Sequence, residues 1–326
     1  MKRMKVLVTA VGSSTAISVI KGFQMQHEYD VDIYGTDTNP GDRISGSAFC
    51  DHFFTVPPAS DEPAYIEAIL GLIEENEIDL FIPIVDEELE AVAKYGNSIE
   101  RETFLLLSPY ETIRTCNDKY LTYRTMQEHG IAAVKTILPK EPSETPSLIE
   151  ENGLSFPLIA KPRRGRGSQD VYRLDCPDDL VLLKRIEDPV IQEYMTGQEY
   201  AVVMFCAGDR VAAALTRRTI ALKGGVTYQC ELVEEPDLIE NAKKISRSMR
   251  FLGPVHTQWF FSDRQPALLE INPRFNGATC FESTCGYNYP LYALRMADGG
   301  DPGIPGELRP FRMCRYWSEV YHPLNQ

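Results

Sequence analysis

An α/β domain followed by an α+β domain is the fold class this sequence predicts, on three observations. The first third alternates apolar runs of strand length with amphipathic helical stretches, the pattern of a parallel sheet with crossover helices. Beyond it the alternation gives way to strand-rich hairpins. Near the end, LLEINPRFNG (Leu268 to Gly277) sets a carboxylate, a carboxamide and a guanidinium at every second position. If this segment runs as a strand, the period of two turns Glu270, Asn272 and Arg274 to one face.

Taken in order, KVLVTA (Lys5 to Ala10) is a continuous apolar strand and SSTAISVIKGF carries a helical pattern. VDIYGTD is a second strand, and PAYIEAILGLIEENEI a long amphipathic helix whose acidic face reads as solvated surface. LFIPIVD (Leu80 to Asp86) is a third strand, EELEAVAKYG a helix closed by Gly96, and FLLLS (Phe104 to Ser108) a fourth strand. These elements make a Rossmann-like half-domain. TAVGSSTA has a single glycine where a dinucleotide fingerprint needs GxGxxG, which disfavours nicotinamide binding. Asp37 reads as a strand-end turn residue in DTNPGD.

From Pro109, SPYETIRTCNDKYLTYRTMQEHGI gives two helical stretches, with Asn117 or Asp118 able to cap the second. EPSETPS reads as a polar, proline-rich loop, and FPLIAKPRRGRGSQDVYRL as strand, glycine-containing turn and strand. PVIQEYMTGQEYAVVMFCAGDRVAAALTRRTIA is strand-rich. ENAKKISRSMRFL is a helix, and HTQWFFSDRQPALLEINPRF a hairpin around SDRQ.

At 326 residues the chain suggests two or three domains. A net charge of −14 opposes general attraction to nucleic acid or anionic lipid, yet allows a locally basic pocket for a small anion. No apolar run approaches the ~18 residues of a membrane span, and the basic tip MKRMK leads straight into domain-like patterns rather than a signal peptide. The 8 cysteines show neither CxxC nor zinc spacing, as expected of reduced thiols in a cytoplasm.

Three segments carry chemistry. Lys161 ends an apolar strand and is followed by PRRGRGS. There Gly165 and Gly167 let backbone amides approach a polyphosphate, while Lys161 and arginines 163, 164 and 166 supply charge. The loop lacks GxxxxGK spacing and leads into a strand, so it is not a Walker loop. In VIQEYMTGQEYAV, backbone groups of residues 193 to 195 could pair with an adenine edge, with Glu199 beyond the Gly197 turn accepting ribose hydroxyls. In EINPR, the oxygens of Glu270 and Asn272 suit a magnesium ion bridging phosphates and Arg274 suits the phosphate itself, although a solvated face with a Glu270–Arg274 ion pair is the plainer alternative.

The order and spacing of these pieces resemble the ATP-grasp superfamily, nearest to its carbamoyl-phosphate-synthase-like carboxylate–amine ligases. The resemblance covers nearly the whole chain: the front domain, Asp118–Lys119, the Lys161 to Ser168 loop, the QEYMTGQE hinge, and the set Gln258, Glu270, Asn272 and Arg274. It implies a pre-ATP-grasp domain over 1–113 and an ATP-grasp domain over 114–326, with a mobile lid at about 130–197. Lys119 and Lys161 then match the two phosphate-contacting lysines, and Gly165, Gly167 and Ser168 the phosphate loop. Gln192 matches the position facing the adenine amine, Glu193 and Met195 the backbone adenine contacts, and Glu199 the ribose acid. Gln258, Glu270 and Asn272 match magnesium ligands, and Arg274 matches the arginine that holds the transferring phosphoryl group. Arg218 falls where relatives often place a further phosphate or carboxylate contact, with Arg217 the less favoured neighbour. Asp170 stands where relatives often have glycine, and Val203 where many have aspartate. His256, Trp259 and the tyrosines of CGYNYPLY read as packing residues.

The function so implied is an ATP- and Mg2+-dependent, ADP-forming ligase that joins a small-molecule carboxylate to an amine through an acyl-phosphate. It would use one or two Mg2+ ions, with Mn2+ as a possible substitute. It would be cytoplasmic, with no nucleic-acid or membrane partner, and possibly a homodimer. The alternatives are an ATP-binding protein without catalysis and a phosphotransferase of the same fold. Relatives making carbamoyl-phosphate carry two such units and biotin-dependent ones a longer C-terminal part, so those two reactions are disfavoured for a single unit ending at Gln326.

Overall fold

A computed structural model describes residues 1–141, 143–165, 169–262 and 265–323. Among them three sheets form. The first is wholly parallel, with order β3-β2-β1-β4-β5. Its strands are β1 (Lys2–Val8), β2 (Tyr29–Asp37), β3 (His52–Thr55), β4 (Leu80–Ile82) and β5 (Phe104–Leu105). The helices between them are α1 (Ser14–Gln24), α2 (Glu62–Asn76), α3 (Asp86–Lys94) and α4 (Gly96–Ile99). Ser13 caps α1 by accepting from the Ala16 N–H.

Strand order reverses between β1 and β4, and in such sheets ligands bind in the crevice beyond the carboxyl ends at that point. Sequence reading missed β3, a four-residue edge strand whose aromatics are only half-buried, and it overran β4. That strand stops before Pro83, which has no N–H to donate, and Asp86 already opens α3. Gly96 does not close α3 either. Tyr95 caps it and Gly96 starts α4 without a positive φ.

Helices α5 (Tyr110–Cys116) and α6 (Lys119–Glu128) connect to the second half. Asp118, 1% exposed, caps α6 by accepting from the N–H groups of Tyr120 and Leu121 at 3.0 and 2.9 Å, which fixes Lys119 at the first helical position. The second sheet is antiparallel, order β6-β9-β7-β8. It contains β6 (Thr136–Ile137), β7 (Leu158–Pro162), β8 (Tyr172–Leu174) and β9 (Pro189–Glu193), with α7 (Thr145–Glu151) before β7. The expected EPSETPS loop is therefore helical from Thr145, where Pro146 fits the first turn.

The third sheet runs β14-β13-β10-β11-β12-β15. It is built from β10 (Gln198–Gly208), β11 (Arg210–Lys223), β12 (Val226–Val233), β13 (Phe251–Ser262), β14 (Gln265–Asn272) and β15 (Arg312–Cys314). Helix α8 (Pro236–Ser248) starts earlier and ends earlier than the pattern ENAKKISRSMRFL suggests, because Phe251 and Leu252 belong to β13. Helices α9 (Thr279–Thr284) and α10 (Tyr289–Ala297) follow β14.

Alternation along β10 sends Val203 and Phe205 into one core with Val6, Val8, Ile20 and Phe275, joining the parallel sheet to this one. Val202 and Met204 point the other way, onto Leu238, Ala242 and Ile245 of α8. Val203 is fully buried, so an aspartate there would be an unpaired charge in the core. Trp259 and Tyr289 are core residues too, and the Tyr289 hydroxyl donates to the Val203 carbonyl at 2.9 Å. Tyr289→Phe should lower stability by about 1–3 kcal/mol by leaving that buried carbonyl without its donor, as read from the denaturant midpoint at unchanged slope.

Candidate active site

The β10, β13 and β14 register assembles the acids and amides. Gln258 lies opposite Glu270, Asn272 opposite His256, and a bulge after Gln258 sets Trp259 against Leu268. Glu199 arrives from β10 and accepts from Gln258 Nε2 at 3.3 Å and Thr219 Oγ1 at 3.4 Å. Asn272 Nδ2 donates to Glu270 Oε1 at 3.1 Å. Burial raises the Glu199 carboxyl above its usual range, the Arg217 charge opposes this, and nearby Glu270 adds to it.

Arg274 joins this group by a route other than strand alternation. β14 ends at Asn272, and a turn with Arg274 N–H donating to Asn272 O at 2.9 Å returns the side chain to the cluster. Its guanidinium does not pair with Glu270. It forks onto Asp86, Nε to Oδ1 at 2.5 Å and Nη2 to Oδ2 at 2.7 Å, and also donates to Asn272 Oδ1 and Phe275 O at 3.1 Å each.

Two lysines face the acids. Lys161 on β7 is 9% exposed, and burial pulls its ammonium down to about 8 although Glu270 favours the charged form. Among the described residues its Nζ makes no direct hydrogen bond. Lys119, also lowered chiefly by burial, donates to the Gly165 carbonyl at 3.0 Å. Both line a cavity of about 940 Å3 together with Gly165, Gln192, Glu193, Met195, Glu199, Gln258, Glu270, Asn272 and Arg274. Such a volume holds a nucleotide-sized ligand. Its far end is Ser13, Ser14, Thr15, Ile84 and Val85, the switch point of the parallel sheet.

Gln192 Nε2 donates to Thr136 Oγ1 at 2.8 Å, and the Glu193 N–H is taken by the Lys135 carbonyl at 3.0 Å. Met195 lies past the end of β9, outside the ladder, and Gly197 has a φ of 129° that favours glycine. Gly165, at φ 124°, has the same need. Gly167 and Ser168, with Arg166, lie outside the described residues. Asp170 has φ 51°, the left-handed region that glycine occupies without strain, and its side chain is exposed.

Arg218 and Arg217 are placed differently. It is absent from the cavity lining and pairs with Glu231 on the neighbouring strand, whereas Arg217 lines the cavity. Alternation gives the reason and was the missed signal: Ala213, Leu215 and Arg217 share the inward face of β11. Arg217, 1% exposed, donates to Thr227 Oγ1 at 3.0 Å and Asn276 Oδ1 at 3.2 Å, lies 3.1 Å from His256 Nε2, and pairs with the buried Glu282 at 3.5 Å. Burial pushes Glu282 up to about 7 against the pull of Arg217. Burial, with Arg217 and Arg274 nearby, holds His256 well below the usual imidazole range and so neutral. His256 thus lines the cavity rather than only packing, and sequence reading passed over Asp86, Thr227, Asn276 and Glu282.

Residues 185–316 match a family model described as ATP-grasp in the biosynthetic pathway with Ter operon, and residues 6–105 match the PylC-like N-terminal domain. The chain has the ATP-grasp fold. Its fold is that of N5-carboxyaminoimidazole synthetase from Staphylococcus aureus complexed with ADP, at TM-score 0.76 and 16% identity over 97% of this chain and 83% of that one. It is also that of L-amino acid ligase from Bacillus licheniformis, at TM-score 0.69 and 16% identity over 94% and 75%. In sequence, this chain is 23% identical to the carbamoyl phosphate synthase arginine-specific large chain of Bacillus subtilis (strain 168), over 65% of its own length and 22% of the relative's. It is 25% identical to coenzyme gamma-F420-2:alpha-L-glutamate ligase of Methanococcus maripaludis, over 30% and 35%. The chain thus spans well under two thirds of the curated relatives it matches. No helix among the described residues is long and apolar enough to cross a membrane.

Lys161 links stability to pH. Its folded-state pKa lies below the unfolded value near 10.5, so the unfolded chain binds more protons between about 8 and 10.5 and stability rises with pH there. Without nucleotide or divalent ions, Lys161→Met should therefore gain about 1–3 kcal/mol at pH 7, a gain that shrinks above pH 8. Urea midpoints across pH 6–10 check both sign and window.

Proposed function

We propose that this chain is an ATP-dependent carboxylate–amine ligase. The observation that carries the reading is one cavity in which Lys119 and Lys161 face Glu199, Gln258, Glu270 and Asn272, with Arg274 in the turn just past the end of β14. The donor set, carboxylates plus carboxamide oxygens, has the hard-oxygen chemistry that magnesium takes, and manganese is the expected substitute. Gln258, Glu270 and Asn272 would hold the ion, and when bound it supplies neutralisation of charge shared between phosphate oxygens.

In the reaction a substrate carboxylate oxygen attacks the γ-phosphorus of ATP, the bond to ADP breaks, and an acyl-phosphate forms. An amine nitrogen then attacks the acyl carbon, phosphate leaves with the C–O bond electrons, and the amine loses a proton to give the amide. The chain's own part is positioning and charge: Lys119 and Lys161 on the phosphates, Arg274 on the transferring group, and Arg217 on a substrate anion. Gln192, Glu193, Met195 and Glu199 hold adenine and ribose. The front domain, residues 1–113, walls the far end of the cleft. A lid of about 130–197, closing on the body 114–326, keeps water from the acyl-phosphate.

Small-molecule partners suit a cavity of this size, and ADP in the Staphylococcus aureus neighbour supports the nucleotide. Eight unpaired thiols suit the reducing cytoplasm. Association into a homodimer is part of the same reading. Incubation with magnesium-ATP and pooled carboxylates and amines should give ADP, phosphate and a new amide mass. AMP as the main nucleotide product would overturn it, and ADP without any amide would turn it into a phosphotransferase.

Glu270→Ala should leave a folded protein with ATP turnover lowered at least ~100-fold, and wild-type turnover in that variant would sink the assignment. In the same assay Arg217→Ala should lose at least ~10-fold in kcat/KM for the carboxylate, while Arg218→Ala stays within about twofold of wild type.

A further inference from the structure

We propose that Asp86, on the parallel-sheet domain, is a positioning residue that sets the Arg274 guanidinium for the transferring phosphoryl group. The inference deepens the reading above and rests on it for what that group is. Arginine has five N–H donors. Here Nε and one Nη2 hydrogen go to the two Asp86 oxygens, the other Nη2 hydrogen to Asn272 and one Nη1 hydrogen to Phe275 O. Among the described residues this leaves one Nη1 hydrogen to meet an incoming oxygen, so the fork onto Asp86 fixes which edge of the cation the cavity sees. The two residues lie 188 positions apart in sequence, 14% and 18% exposed at their side chains, so the pair couples the front domain to the ATP-grasp strand at the chemical site.

Asp86 is itself rigidly based. It opens α3, where the helix N-terminus favours an acid. The turn before it is pinned by the fully buried Glu88, whose Oε1 accepts from Ile84 N–H at 2.7 Å, Val85 N–H at 2.9 Å and Thr9 Oγ1 at 2.6 Å, and whose Oε2 takes the Tyr65 hydroxyl. A guanidinium held by such a base needs no rearrangement as phosphoryl charge develops.

The test is equilibrium binding of magnesium-ADP with and without aluminium fluoride, which mimics a phosphoryl group in flight. In the wild type the fluoride should tighten ADP binding at least ~30-fold. Asp86→Ala should lose at least ~10-fold of that gain with magnesium-ADP binding alone within about twofold of wild type. Asp86→Asn, which keeps a neutral acceptor in place, should recover part of the loss. Asp86→Ala/Arg274→Ala should lose no more than Arg274→Ala alone, the mark of one residue acting through another. Additive losses, tighter fluoride binding in Asp86→Ala, or a parallel fall in binding with and without fluoride would each overturn the proposal. So would a wild type that gains nothing from the fluoride. A normal fluoride gain in a protein that makes no amide from pooled substrates would remove the ligase reading and leave the Asp86 assignment standing.

Discussion

β10 is buried on both faces, and the positions of Glu199, Gln258 and Glu270 in the cleft descend from that. One face packs against the parallel sheet through Val203 and Phe205, the other against α8 through Val202 and Met204, so its register has no freedom to slip. It pairs with β13 residue for residue from Gln198–Phe261 to Gly208–Phe251. That ladder sets Glu199 diagonal to Gln258, and β13 in turn sets Gln258 against Glu270. A one-residue slip would send Gln258 into the hydrophobic core and Trp259 into the cleft. Packing energy far from the chemistry thus fixes where the acids sit.

The electrostatics of the cleft divide along the same line. Two of its arginines are each held by an acid that sequence distance would not suggest, Arg274 by Asp86 and Arg217 by Glu282. Such pairs cost desolvation and repay it through fixed geometry rather than net stability. The lysines are treated differently. Burial lowers both, and Lys161 has no direct acid partner among the described residues. On the proposed reading their charge is held in reserve for an anion, and the protein would carry the cost of that reserve until one binds.

What was legible in the sequence follows from which signals are local. Asp118–Lys119, the β7 lysine and glycine loop, the Gly197 turn and the EIN run are contiguous motifs, and the structure gathers Lys119, Lys161, Glu199, Gln258, Glu270 and Asn272 around one cavity. The α/β then α+β order was legible for the same reason, since periodicity is read within one segment. The misses are non-local or depend on parity. β3 gave no alternation because it is a short edge strand, and Asp86 could not be linked to Arg274 because only the tertiary fold brings them together. That Arg217 rather than Arg218 faces the cavity is a matter of parity, which the apolar residues Ala213 and Leu215 signal.

The contrast between the two acid-held arginines bears on what each can recognise. Arg217 keeps Thr227, Asn276 and neutral His256 as neighbours, and its acid, Glu282, is pushed up toward neutrality by complete burial. Its balancing charge is therefore weakly held, and an anion arriving from the cavity side meets a cation only partly compensated. Arg274 is firmly compensated by Asp86, whose two oxygens take its forked edge. A resident anion with time to equilibrate suits the first arrangement. A charge that exists only in passing suits the second, because a pre-set donor acts without waiting for a side chain to move. Under the proposed ligase reading, substrate carboxylate at Arg217 and phosphoryl group at Arg274 would give each arginine the partner its surroundings fit.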